Sequence, residues 1–142
     1  MKRTASAAWQ GALKDGSGTV STEMGGLSQT PYSFNTRFED GTSGTNPEEL
    51  LGAAHAACFT MAVSHELAGA GHPPQRAETK ASVQLDQVEG GFAISKIHLS
   101  LVADVPGLSD EEFQKIASSA KENCPLSKAI AAPIELDARL MS

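Results

Sequence analysis

Residues 46–71 read NPEELLGAAHAACFTMAVSHELAGAG, and this stretch decides the fold. Asn46 suits the N-cap, Pro47 the first helical position, and Glu49 completes a pattern like a capping box. Alanine and leucine then dominate from Leu50 to Ala70, and Gly69 and Gly71 lead to the breakers Pro73 and Pro74. The spacing predicts a helix over about 47–70. Between Ala53 and Ala62 it is apolar or small on almost every side, which predicts a helix buried at the centre of the fold.

Upstream, Tyr32, Phe34, Thr36 and Phe38 alternate with Ser33, Asn35 and Arg37. That period of two predicts a strand with one buried face and Arg37 on its polar side. Gly16, Gly18, Gly25 and Gly26 punctuate short segments around Trp9 and Val20, as hairpins require. Residues 39–44 form a polar loop leading into the helix.

Downstream, Thr79 to Leu85 alternates, Gly90-Gly91 makes a turn, and Phe92 to Ala103 carries Ile97, Leu99 and Leu101 on one face. Phe92 and Ile94 need a one-residue shift to join that face, which predicts a bulge near Lys96. A second helix begins at Ser109, with Glu112 three residues on and Leu108 and Phe113 spaced as a hydrophobic staple. It stops near Asn123, because Pro125 disfavours helical geometry at Cys124. Ile134, Leu136, Ala138 and Leu140 then alternate with charged residues in a last strand. The class expected is α+β, an antiparallel sheet with two main helices (about 47–70 and about 109–123), in one domain over 1–142.

Of the 142 residues, 40% are hydrophobic and 20% charged, the balance of an ordinary globular domain. A formal charge of −6 argues against general affinity for nucleic acid or anionic membranes. Met1 to Gln10 holds no apolar run of the kind a signal peptide needs, and no later segment is long enough to span a bilayer. A cytoplasmic location is therefore expected, where thiols stay reduced until an oxidant reaches them.

In such a chain the two cysteines, Cys58 and Cys124, point to chemistry more than to scaffolding. Only the thiolate attacks, and an ordinary thiol is scarcely ionised at neutral pH. Cys58 lies about three turns past Pro47, beyond the reach of the helix dipole, so a positive charge must come from elsewhere in the fold. Arg37 is the candidate, since a guanidinium stays protonated and can donate two hydrogen bonds to a peroxide oxygen. Periodicity alone makes Arg37 a solvated strand residue, and Glu48 and Glu49 read as first-turn acids. Glu48 and Cys58 are ten positions apart on one helix, about 15 Å along its axis, so they do not touch. If both serve one site, either Arg37 bridges the gap or a second subunit completes it. Cys124, beside a helix end, suits a resolving thiol in a segment that can move and meets solvent. Each cysteine also has a plainer reading, as a small packed residue.

His55 and His65 share a stripe with Cys58, but zinc sites use tighter spacings, and His72 and His98 lie in unrelated segments. No metal, phosphate-binding loop or nucleophile elbow is expected.

The segment PYSFNTRFEDGTSGTNPEELLGAAHAACFTMAVS, with ENCPLSKAI downstream, resembles the osmotically inducible protein C (OsmC) family of peroxidases. Its sister group is the organic hydroperoxide resistance proteins. The likeness extends to AAW near the start, VPGLS before the second helix and IELDARL at the end, and the arginine in TRFEDG is similar to OsmC proper. The resemblance implies an intertwined homodimer, with the two central helices packed inside and curved sheets outside. It implies thiol-dependent reduction of hydroperoxides, organic ones above hydrogen peroxide, in stress defence without a cofactor. Cys58 would then be the peroxidatic cysteine and Cys124 the resolving one. Arg37 would stabilise the thiolate and orient the peroxide, and Glu48 would position Arg37. The family also suggests an external dithiol reductant, a lipoyl group being one example. Phe59, Met61 and Leu51 are apolar neighbours expected to favour alkyl hydroperoxides. The alternatives are a non-enzymatic protein that binds a small apolar ligand and keeps a structural cysteine pair, and a cysteine/histidine metal protein.

Overall fold

A computed structural model describes residues 1–40 and 43–141. The chain divides into two compact units, one through Leu50 and one from Leu51 onward.

The first unit holds a three-stranded antiparallel sheet of β1 (Ala5–Gln10), β2 (Ser17–Thr22) and β3 (Thr30–Tyr32), in that order. Gly18 pairs with Trp9 on one side and Tyr32 on the other. A Cβ there would come within 2.6 Å of both rings, so only glycine fits between them. The two rings meet with centroids 5.4 Å apart.

After β3 the chain departs from expectation. Phe34–Phe38 is a short helix, α1, and not the end of a strand. Ser33 is its N-cap: the Ser33 hydroxyl accepts from the Thr36 amide, and the Thr36 hydroxyl accepts from the Ser33 amide. This reciprocal box satisfies two amides locally and outweighs the aromatic alternation. Phe34 and Phe38, four apart, also meet on the helix with centroids 4.8 Å apart, a contact that helical spacing allows. The loop expected over 39–44 includes Gly41 and Thr42, which lie outside the described residues.

Helix α2 spans Pro47–Gly69. As the sequence indicates, Asn46 caps it, its Oδ1 accepting from the Glu49 amide at 2.7 Å. The return half of the capping box is absent among the described contacts, and Glu49 instead accepts from the Thr45 hydroxyl. The helix ends in a Schellman motif: the His72 amide donates to the Leu67 carbonyl and the Gly71 amide to the Ala68 carbonyl. Gly71 stands at φ 86°, the left-handed geometry this motif needs.

In the second unit, β4 (Arg76–Val88), β5 (Gly91–Asp104) and β6 (Ile134–Met141) form a sheet in that order. β4 and β5 pair antiparallel, and Ser95 bulges out between Lys96 and Ile94, next to the position the sequence predicts. β6 is a correction to the wholly antiparallel sheet, because it runs parallel to β5. A parallel pair needs a long crossover, and the chain supplies one through α3 (Asp110–Asn123) and α4 (Pro125–Ala129). Ser109 caps α3, accepting from the Glu112 amide, and Leu108 and Phe113 are both buried beside it.

The core joins Phe59, Val63 and Leu67 of α2 to Ile97, Leu99, Leu101 and Ala103 of β5 and to Phe113, Ala117 and Ala120 of α3. Helix spacing in α2 and α3 and alternation in β5 put these residues on inward faces. The opposite face of α2 is exposed within one chain: Ala53, Ala54, Ala57, Met61, His65 and Ala68 meet solvent. Within one chain, then, the helix is buried on a single face. No described helix is long and apolar enough to cross a membrane.

Candidate active site

The four residues singled out from the sequence form two pairs, one in each unit. In the first unit, Arg37 lies in the last turn of α1 and Glu48 in the first turn of α2. The Arg37 Nε and Nη2 both approach Glu48 Oε1 at 2.8 Å, and Nε lies 3.3 Å from Oε2. Glu48 is 10% exposed in its side chain and Arg37 38%. A carboxylate so nearly enclosed needs a partner, and the planar guanidinium holds it through more than one hydrogen bond. The Asn46 side chain adds a second tie between α2 and α1 by donating to the Thr36 carbonyl.

The Arg37 guanidinium also borders a cleft of about 430 Å³ with mostly apolar walls, among them Trp9, Leu13, Tyr32, Phe34 and Phe38. This cleft uses the single Trp, the single Tyr and two of the five Phe of the chain. The sequence reading did not find it. The clustering of aromatics before residue 40 was the available signal, but it was spent on a strand pattern.

In the second unit, the Cys58 and Cys124 sulfurs lie 2.9 Å apart, joined by an S–H···S hydrogen bond with both cysteines free. Cys58 comes from the fourth turn of α2, next to the core residue Phe59. Cys124 sits where α3 ends, at φ −58° and ψ 127°, and Pro125 starts α4 immediately after it. Cys58 is partly exposed.

Cys124 differs from expectation, being fully buried. Its backbone is tied on both sides, its amide donating to the Ala120 carbonyl and its carbonyl accepting from the Lys128 amide. The α3–α4 break turns the side chain inward beside Ala117 and Ala120, and the two sulfurs meet without any travel.

The pair titrates as a unit. Burial pushes the Cys58 thiol up, its contact with Cys124 acts the same way, and a hydrogen bond from the Leu126 amide partly offsets them. Burial opposes ionisation of Cys124 as well. There, hydrogen bonds from Cys58, from the Ser127 amide and hydroxyl, and from the Leu126 amide outweigh it and hold the thiol down. The two shifts run in opposite directions, so of the pair Cys124 is the sulfur whose ionisation its surroundings favour and Cys58 the one whose ionisation they oppose.

The His55–Cys58–His65 stripe divides. His55 is buried with Nε2 2.8 Å from the Ser127 hydroxyl, whereas His65 is exposed. Phe59 is fully buried in the core, so it is removed from the apolar neighbours expected at a substrate, while Met61 is 74% exposed.

Residues 39–139 match the family model described as OsmC-like protein, and the chain belongs to that family. It is 54% identical to peroxiredoxin OsmC of Escherichia coli (strain K12), over 94% of this chain and 93% of that protein. Its fold matches the crystal structure of the organic hydroperoxide resistance protein OhrB of Bacillus subtilis at a TM-score of 0.69. That match has 29% identity and covers 97% of this chain and 98% of the other. An OsmC-like protein of unknown function from Vibrio cholerae shares the fold at a TM-score of 0.77 with 18% identity, covering 97% and 99%.

Proposed function

We propose that this protein is a two-cysteine peroxidase that reduces organic hydroperoxides to alcohols. The observation that carries the reading is the contact of the Cys58 and Cys124 sulfurs at 2.9 Å. The relatives' names, a peroxiredoxin and organic hydroperoxide resistance proteins, support the same chemistry.

Cys58 is the peroxidatic residue, because it is the more open of the two sulfurs. Its thiolate attacks the O–O bond. The sulfur takes the hydroxyl, the alkoxide leaves and picks up a proton, and Cys58 becomes a sulfenic acid. Cys124 attacks that sulfur, hydroxide leaves as water after protonation, and a disulfide forms. An external dithiol then reopens the disulfide by exchange, and a lipoyl-type donor fits this step.

Hydrogen bonds within the second unit favour charge on Cys124, so Cys58 needs a cation to become the attacking thiolate. Arg37 supplies it and orients the peroxide, and Glu48 fixes the guanidinium. The aromatic cleft beside Arg37 suits an alkyl or aryl substituent better than hydrogen peroxide. The exposed alanine and methionine face of α2 is covered by a second copy in a homodimer. The working compartment is the cytoplasm, where the cysteines return to the reduced state between turnovers.

A second reading, binding of a small apolar ligand without turnover, is favoured by the cleft. Single-turnover assays separate the two: the peroxidase reading expects hydroperoxide reduction by wild type that vanishes in Cys58→Ser, and wild type that binds an apolar ligand but reduces no hydroperoxide would support the alternative.

A further inference from the structure

Cys58 and Cys124 touch, but only one of them is open to the outside. Cys124 has no solvent-accessible surface and belongs to the buried core with Phe113, Ala117 and Ala120. Cys58 is partly exposed and packs against that core from α2. The two sulfurs, 2.9 Å apart, therefore form a pair with one open end and one closed end.

The closed end is also fastened. The Cys124 amide donates to the Ala120 carbonyl at 2.9 Å, and the Cys124 carbonyl accepts from the Lys128 amide at 3.1 Å. The Ser127 hydroxyl of α4 lies 2.8 Å from Nε2 of the fully buried His55, which sits on α2 one turn before Cys58. Bringing Cys124 to the surface means drawing α4 away from α2 and breaking these bonds. A buried segment held in this way opens only rarely.

A disulfide is cleaved by a thiolate that attacks one sulfur and expels the other, and access decides which sulfur is attacked. We propose that the external dithiol attacks Cys58 and that Cys124 is the leaving group. The place of this step in a turnover rests on the peroxidase reading, whereas the order of access does not. The incoming thiolate forms a bond to the Cys58 sulfur as the Cys58–Cys124 bond breaks, and the bonding pair leaves with Cys124 as thiolate. The reductant's second thiol, as thiolate, then attacks the reductant sulfur of that mixed disulfide. Cys58 leaves as thiolate, and the reductant closes into its own disulfide. Two electrons pass from dithiol to protein, and the two protons the dithiol gives up balance those the cysteines take back. The second thiol has to be tethered to the first, because the expelled Cys124 stays beside Cys58 and recloses the protein disulfide against a slower rival. Burial opposes ionisation of Cys124, yet the thiol is held below its ordinary value, and a thiol of lower pKa leaves faster.

The first measurement compares single-cysteine variants reacting with dithiodipyridine, a small neutral disulfide. Folded Cys58→Ser, which keeps Cys124, should react about 100-fold more slowly than folded Cys124→Ser, the scale of a rare local opening. In urea the two rates should converge. Equal rates in the folded variants, or a faster Cys124, would overturn the proposal. The second measurement needs no variant: wild type is oxidised to the disulfide with diamide, pulsed with excess glutathione and quenched in acid. Peptide mass mapping should find the glutathione on Cys58, and an adduct chiefly on Cys124 would overturn the proposal. Diamide forms the disulfide without peroxide. A chain that keeps this order of attack but reduces no hydroperoxide would sink the peroxidase reading and still support Cys58 as the attacked sulfur.

Discussion

Cys58 and Cys124 are 66 positions apart in sequence, yet their sulfurs lie 2.9 Å from each other in the folded chain. The contact arises because Pro125 ends α3 at Cys124 and the side chain there turns into the core, while helical spacing puts Cys58 next to the core-facing stripe of α2. A separation of this size lets one sulfur attack the other after a small adjustment, and nothing larger has to move.

Resolution by Cys124 has a specific signature. In Cys124→Ser, one equivalent of hydroperoxide should leave a persistent sulfenic acid on Cys58, detectable by trapping with a dimedone probe and mass measurement. Disulfide formation should be lost while the first oxidation step keeps its rate to within a few-fold.

Arg37 should matter through geometry as well as charge. Arg37→Met should slow Cys58 oxidation roughly 100-fold, the scale of losing a principal stabilising donor. Arg37→Lys should recover little, because an ammonium cannot reproduce the paired contacts with Glu48. Glu48→Gln should fall between wild type and Arg37→Met, read as the rate of thiol loss in a single turnover.

His55 makes stability depend on pH. Burial lowers its pKa in the folded protein, so below the ordinary histidine value of about 6.5 the unfolded chain binds a proton that the folded one refuses. Its contribution is therefore fully present above that value and is lost as pH falls from there toward the lower folded pKa. Urea midpoints should decline from about pH 7 to about pH 5, and the decline should be shallower in His55→Gln.

The exposed face of α2 tests the homodimer. Wild type should sediment as two chains, and Met61→Glu, at a side chain 74% exposed within one chain, should sediment as one. Loss of activity along with the dimer is the expected result. A fully active single chain would refute the composite site.

Core packing gives a further check. Phe113 is completely buried, so Phe113→Ala should cost roughly 3–5 kcal/mol in chemical denaturation. Ser109→Ala removes only a cap and should cost about 1 kcal/mol.

Much of this was legible in local chemistry. Asn46 and Ser109 announced the two helices because capping depends on neighbours in sequence, and the mismatch of Ile94 with Ile97 revealed the bulge at Ser95. The misread stretch, Phe34–Phe38, satisfies two periods at once, since positions 34 and 38 fit both alternation and a helical turn. The Ser33–Thr36 box decides between them, and it lacks the usual Glu or Gln. The direction of β6 was not legible, because the same alternation serves either orientation and the crossover decides. The burial of Cys124 and the contact of His55 with Ser127 depend on packing between distant segments, which spacing does not encode. The pairing of Arg37 with Glu48 was expected only through family resemblance, and the ion pair itself is present.

The most direct test mixes fully reduced protein with one equivalent of cumene hydroperoxide and follows free thiols and intact mass. The account predicts rapid loss of both thiols and a mass matching an intramolecular Cys58–Cys124 disulfide. Thiols unchanged over minutes would contradict it, because a pair in contact at 2.9 Å would then not be poised for peroxide.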